Sequence, residues 1–482
     1  MRNRLLGSIA AVTAGAGAAL GQTPPPPAPI GAVGGPPMVM PAGGPVDPIP
    51  PQFGGGMGGP MMGGDPSGGL MPGGPAGMGP VGYPPPGMYG QPPYEAPFSK
   101  NADAYNTRFA PKVWVNTEYL LWFTRAMPNN FPAITSGPPV GFGVPGTVGT
   151  TTAWNREDYG FGLASGFRVT GGFFKDPDRR RGWYASGFLV EQKSSLFQGV
   201  SDQTGQPLFA RPYINAGTGG IETLIATFPT VASGVIVGQA STRAWGAEGG
   251  PVVNLYRTCP DDARCLFSVD LLSGFRYLEI DEQFRVQQFT NVLNGVPTTF
   301  DGKQYVGPVT IEVNDEFKVA NQFYGGQLGL ATDFRWGRLS LAATGKVAIG
   351  VMHQRLEVNG VSRLIYTDAN GFPAVSTATG GLYANPANVG RFNNDEFAVI
   401  PEANVQLGYS WASWLSTFVG YNFLYSNRVA RASEQYSPVV NPATIPASPS
   451  YGLGGPVVTP NPIFTQNDYW LQGVSFGFVV RY

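Results

Sequence analysis

Over most of the chain, hydrophobic and polar positions alternate with a period of two, which sends successive side chains to opposite faces of an extended strand. The last stretch shows it plainly. Val474, Phe476, Phe478, Val480 and Tyr482 share one face, and Gly473, Ser475, Gly477, Val479 and Arg481 share the other. Leu415, Val419, Tyr421, Phe423 and Tyr425 likewise oppose Ser416, Gly420, Asn422 and Ser426, and Phe397, Val399, Val405, Leu407 and Tyr409 oppose Glu402, Asn404, Gln406 and Gly408. Phe267, Val269, Leu271, Phe275 and Tyr277 stand against Ser268, Asp270, Gly274 and Arg276, and Tyr159, Phe161, Leu163 and Phe167 against Gly160, Gly162, Ala164, Gly166 and Arg168. The pattern predicts ten strands, over 113–124, 159–174, 182–193, 241–257, 266–282, 316–334, 338–354, 397–411, 415–429 and 469–482.

The connections between them run about 34, 7, 47, 8, 33, 3, 42, 3 and 39 residues, long and short in strict alternation. A soluble sandwich also alternates along its strands, but it has no reason to gather its long connections at one end. Short turns on one side and long loops on the other are the asymmetry of an outer-membrane barrel. The polar faces, rich in Gly, Ser and Asn, suit a crowded lumen, and the Phe, Tyr, Leu and Val faces suit a lipid-facing band. Trp114, Trp122, Trp183, Tyr184, Tyr256, Trp336, Trp411, Trp414, Tyr469 and Trp470 cluster near segment ends, as interfacial girdles do. In hydrocarbon every backbone polar group must be paired, so the expected fold is a single closed antiparallel transmembrane β-barrel of about ten strands. A hairpin hidden in a long loop raises the count to twelve.

Composition narrows the field. Lys and Arg (30) balance Asp and Glu (31), so no electrostatic footprint for nucleic acid exists. One histidine and two cysteines exclude multi-His or multi-Cys metal sites, and no cofactor is expected. Beyond the N-terminus no apolar run approaches the roughly 18 residues of a transmembrane helix.

The N-terminus reads as a secretory signal over residues 1–21: Arg2 and Arg4 precede an apolar stretch from Leu5 to Ala19, with small residues before Gln22. Residues 22–105 form a Pro/Gly/Met-rich arm. From Gln22 to Ser99 alone it holds 23 of the 47 prolines, 21 of the 69 glycines and eight of the 11 methionines. It cannot bury enough apolar surface to order itself, and is expected to be a disordered periplasmic spacer or a docking segment for an envelope partner. Residues 106–482 are assigned to the barrel. Tyr482 closes an alternating strand with an aromatic end, resembling the signal read by barrel-assembly machinery. That machinery and outer-membrane lipid are the expected partners.

Several segments resemble a widespread planctomycete family of outer-membrane β-barrels, long known as a domain of unknown function. They are Val113–Trp122, Leu271–Glu282, Asn321–Leu330, Lys346–Gly350, Phe397–Pro401 with Gly408–Tyr409, and Phe418–Tyr425. The resemblance implies fold and location; it carries over no substrate and no catalytic residue.

Candidate chemistry is sparse. Cys259 and Cys265, six residues apart in an exported chain, read as a disulfide closing a hairpin turn, worth about 2 kcal/mol or less by loop entropy. His353, the only histidine, falls at the outer end of its strand on the lipid-side parity, which favours an interfacial role over a catalytic one. Asp176, Asp178 and Arg179–Arg181 read as a solvated charged turn. The inward parity holds Glu118, Arg168, Asp270, Arg276, Lys346 and Glu402, three acids and three bases. They either plug the lumen as a network or line a narrow path of weak ion selectivity. The expected function is therefore a non-enzymatic barrel: a narrow passive porin-like channel, or a structural and surface-display barrel working through its long loops and its arm.

Overall fold

The computed structural model describes residues 113–482, apart from 156, 177–178, 259–264 and 456–463. The signal segment, the arm, Asp178 and the expected Cys259–Cys265 disulfide lie outside the described residues.

Ten long strands dominate: β1 (Val113–Thr124), β2 (Leu163–Phe174), β3 (Arg181–Val200), β4 (Ala232–Arg257), β5 (Cys265–Val292), β6 (Val309–Trp336), β7 (Leu339–Thr367), β8 (Gly390–Ser410), β9 (Leu415–Ala430) and β10 (Gln466–Arg481). Each pairs antiparallel with its two sequence neighbours, and β1 pairs with β10, so the hydrogen bonds run round a ring. The seam is tied at its base, where Val113 and Tyr482 exchange backbone hydrogen bonds of 3.1 and 2.9 Å. The strand ends joined by short connections (β2 to β3, β4 to β5, β6 to β7 and β8 to β9) gather with that seam at one end, the turn end. At the tightest of them Gly337 takes φ 59°, the left-handed conformation a two-residue hairpin needs at its first position.

The ring strands follow the predicted order, but six of them run well past the predicted limits at the loop end. There the alternation continues with its polarity reversed. On β5 the outward residues are Phe267, Val269, Leu271, Phe275 and Tyr277, then Glu279, Asp281, Gln283, Arg285 and Gln287. The inward ones pass from Ser268, Asp270 and Arg276 to buried Leu278, Ile280, Phe284 and Val286. The reversal runs in register across four neighbouring strands, β5 to β8. Tyr277 is in register with Tyr324, Tyr324 with Val351, and Val351 with Phe397; the next outward residues are Glu279, Gln322, His353 and Asp395. Below this border the outer surface is apolar, with Leu328, Leu341, Ile349, Val405, Leu407, Val419, Phe476 and Phe478 exposed. On β6 the apolar stretch from Tyr324 to Trp336 covers 12 steps, about 40 Å along the strand and about 30 Å in projection at a tilt near 40°, a hydrocarbon thickness.

Above the border the ring is roofed by its own loops. Hairpins do lie hidden in the long connections, but they leave the ring at ten strands. Leu208–Asn215 pairs with Ile221–Thr227, Thr135–Gly137 and Val439–Val440, a small separate sheet that braids three long loops together. Pro373–Thr379 folds back on the extension of β7. This crown has its own hydrophobic core, in which Trp154, Phe284, Tyr436 and Tyr383 stack in succession at centroid distances of 5.5, 5.3 and 4.7 Å. Tyr159, expected on the lipid face of a strand beginning at 159, is instead fully buried in this core, because β2 starts only at Leu163.

Candidate functional site: the charged interior of the ring

The interior is stacked in layers from the turn end upward. The first is a cavity of about 310 Å³ reaching the turn end, walled by Trp114, Asn116, Glu118, Arg168, Tyr184, Asp270, Lys346 and Glu402 among others. Trp114, Trp122, Tyr184 and Tyr469 therefore face inward and are not girdle residues; Trp183, Tyr256, Trp336, Trp411 and Trp414 are exposed on the outside as expected. The inward set is explained by parity alone: on β1 the even-numbered positions point into the ring.

Across the top of the cavity runs an ion-pair network. Three pairs of opposite charges stand directly across from each other in the strand register: Glu118 with Arg168, Glu248 with Arg276, and Lys346 with Glu402. Side chains then reach across the lumen. Glu402 accepts from the Arg276 guanidinium, lies 3.3 Å from Lys346 Nζ and 3.6 Å from Arg168 Nη2; Glu248 lies 2.5 Å from Lys346 Nζ and 3.8 Å from Arg276 Nη1. Three cations thus share two carboxylates, and Arg276 and Glu402 are each only 3% exposed at the side chain. Arg168 also donates to Asn422 Oδ1 (2.9 Å) and lies over the Trp122 ring at 5.1 Å. The ring brings Arg168, Arg276, Lys346 and Glu402 together. Glu118 stays on the wall, accepting from Asn116 (3.2 Å), and Asp270 accepts from Asn254 (2.7 Å). Sequence reasoning missed Glu248, although its place opposite Arg276 is a parity signal.

Above the network lies an apolar layer in which Leu120, Leu278, Ile280, Phe323, Met352 and Ile400 are fully buried. Next come two deeply buried ion pairs. Arg431 meets Glu282 at 2.9 Å with both side chains fully buried, and also donates to the carbonyls of Arg125 and Ala126. Arg211 meets Asp315 at 2.5 Å, while Asp315 also accepts the backbone N–H groups of Leu382, Tyr383 and Ala384. Such pairs are kept at a desolvation cost and fasten loop to wall with directional bonds. In the crown, burial holds the Tyr159, Tyr383 and Tyr436 hydroxyls well above the usual phenol range, so they serve as donors; Tyr383 and Tyr436 each cap a loop carbonyl at 2.6 Å.

His353 points outward at the border, its Nδ1 2.6 Å from Asp395 Oδ1, on a strand that continues to Thr367 rather than ending there. Neighbouring outward pairs at the same level are Arg243–Asp281 (2.7 Å) and Arg125–Asp468 (3.2 Å). Beside them Tyr277 packs against Trp245 and Tyr324 at 5.0 and 5.1 Å. Aromatic rings topped by ion pairs match the chemistry of a headgroup zone. In the turn at 175–180 the Asp176 carboxylate accepts the Arg181 and Arg180 N–H groups, which hold its carboxyl below the usual range.

A ring of antiparallel strands, apolar outside and charged within at the same level, defines the class of outer-membrane β-barrels. The family profile described as "Putative beta barrel porin-7 (BBP7)" matches residues 114–482, and the chain belongs to that family. Among curated proteins none matches the sequence. Among solved structures, the outer membrane protease OmpT of Escherichia coli is 8% identical, with 77% of this chain and 96% of that one covered and a TM-score of 0.31. A TodX monoaromatic hydrocarbon channel mutant is 9% identical, with 79% and 92% covered and a TM-score of 0.20.

Proposed function

We propose that the protein is a closed outer-membrane β-barrel that serves as an anchor and presents its folded crown outside the cell. In this reading the turn end and the arm lie in the periplasm. The observation that carries it is the filled interior. From the Arg276–Glu402 network through the Leu120–Ile280–Phe323 layer to the aromatic crown core, the described side chains that cross the ring are buried against one another. The interlocked loops make the crown a folded body, and its outward polar rows (Gln283, Arg285, Glu316, Lys318) suit water. In this reading the role is non-enzymatic, in keeping with His353 facing away from the interior, paired with Asp395. A narrow channel is the second reading, favoured by the cavity with charged residues on its wall at the turn end of the ring. It requires the network and the apolar layer to move aside.

Planar-bilayer recording of the refolded full chain separates the two. The anchor reading expects no unitary currents over a wide voltage range. Reproducible single-channel steps from the wild-type protein would replace it with the channel.

A further inference from the structure

The rim of the turn-end cavity carries arginines that the network above does not use, and Asp333, Asp270 and Glu118 share the same wall. Arg179 from the 175–180 turn, Arg257 at the end of β4, Arg335 near the end of β6 and Arg481 at the end of β10 all line it. Arg335 is paired with Asp333 (2.9 and 2.5 Å), and Arg481 donates to Ser416 Oγ (2.7 Å). Arg179 and Arg257 have no carboxylate partner among the described residues, and the Nε of each is buried without a hydrogen-bond partner. Burial, and then the Arg257, Arg335 and Arg481 guanidiniums, push Arg179 down to about 10. Asp333 offsets Arg335, but Arg179 and Arg257 share one partly enclosed space and repel each other, and their two unsatisfied buried donors add a desolvation cost. An occupant that removes both penalties is a compact oxyanion, since the guanidinium fork matches phosphate oxygens in pairs.

We propose that this rim is a binding site for a phosphate group, with Arg179 and Arg257 as its principal donors. The cavity of about 310 Å³ corresponds to about ten water volumes, room for a phosphate with a short organic body. Above the group, Glu402 and Glu248 are already saturated by Arg276, Arg168 and Lys346, while Asp270 and Glu118 on the wall accept from Asn254 and Asn116. The inference uses only the folded ring, and stands whether the barrel is an anchor or a channel.

The test is thermal unfolding of the full chain in a non-ionic detergent, with inorganic phosphate titrated against chloride at matched ionic strength. Wild type should rise in Tm with phosphate, saturably. Arg179→Gln and Arg257→Gln should each lose most of that increment and weaken phosphate binding about tenfold by calorimetry. Because each relieves repulsion, both should unfold at an equal or higher temperature than wild type in phosphate-free buffer. Arg180→Gln, one residue along the turn and not part of the cavity wall, should behave as wild type. Native mass spectrometry distinguishes the sources. A co-purifying phospholipid displaced by phosphate identifies a headgroup, and a lipid-free protein that still binds phosphate identifies a free anion. No phosphate-specific stabilisation, or equal losses in all three variants, overturns the proposal.

Discussion

The border between apolar and polar outer surface makes a quantitative prediction about depth. Leu330 faces outward on β6, six residues from Tyr324 and six from Trp336. Six residues are about 20 Å along a strand and about 15 Å in projection, which places Leu330 near the midplane of a band about 30 Å thick. Ala320 is on the same strand and the same face, four residues beyond Tyr324, flanked in register by Asp281 and Arg355. An arginine at the midplane of a barrel's lipid face costs about 2–4 kcal/mol, falling to about 0–1 kcal/mol near the interface. Leu330→Arg should therefore destabilise the protein by about 3 kcal/mol, and Ala320→Arg by less than about 1 kcal/mol, since one neighbour is acidic and the other basic. Equilibrium urea unfolding in phospholipid vesicles, followed by tryptophan fluorescence, measures both. Equal costs at the two positions would refute the argument that lipid ends at the Tyr277–Tyr324 level, because both place an arginine on the outer face of the same strand at different depths.

Two further expectations concern the interior. Glu402→Ala leaves Arg276, Lys346 and Arg168 with Glu248 alone, and breaking such a buried set should cost about 3–5 kcal/mol in detergent unfolding; a loss below about 1 kcal/mol would mean that the network is solvated. Gly238→Ala would place a Cβ 2.3 Å from the Trp154 ring, so the crown should loosen at a cost of about 1–3 kcal/mol and be cut faster by protease added from outside; unchanged cleavage would show that Trp154 has room to move.

The ring was legible in the sequence and the crown was not, for one physical reason. Below the border, each strand obeys a single rule, oil outside and polar inside, and the alternation from Phe267 to Tyr277 reads directly. At Tyr277–Leu278 the apolar positions change parity, because the outer solvent changes from lipid to water while the inner space becomes a packed core. A pattern reader takes two adjacent apolar residues followed by a reversed phase as the end of a strand, so β5 was expected to stop at 282 and β6 to begin at 316. The same rule explains Trp122 and Tyr469. Aromatic residues near strand ends suggest girdles, but their parity with Glu118 and Leu471 sends them inward. Parity collected Arg168, Arg276, Lys346 and Glu402 from the sequence, though not Glu248. Which of them meet was not legible, because Arg168 and Arg276 reach Glu402 across the ring, and cross-lumen distance is not written in any local spacing.

The parity change also fixes how deep the molecule floats. Any shift of the rigid ring along the membrane normal moves every strand at once. A shift inward drags Glu279, Gln322, His353 and Asp395 into oil together, while a shift outward strands the Trp336, Trp411 and Trp414 rim away from its interface. Since these neighbouring strands are penalised together, the protein has a preferred waterline, and a bilayer of mismatched thickness must deform to meet it.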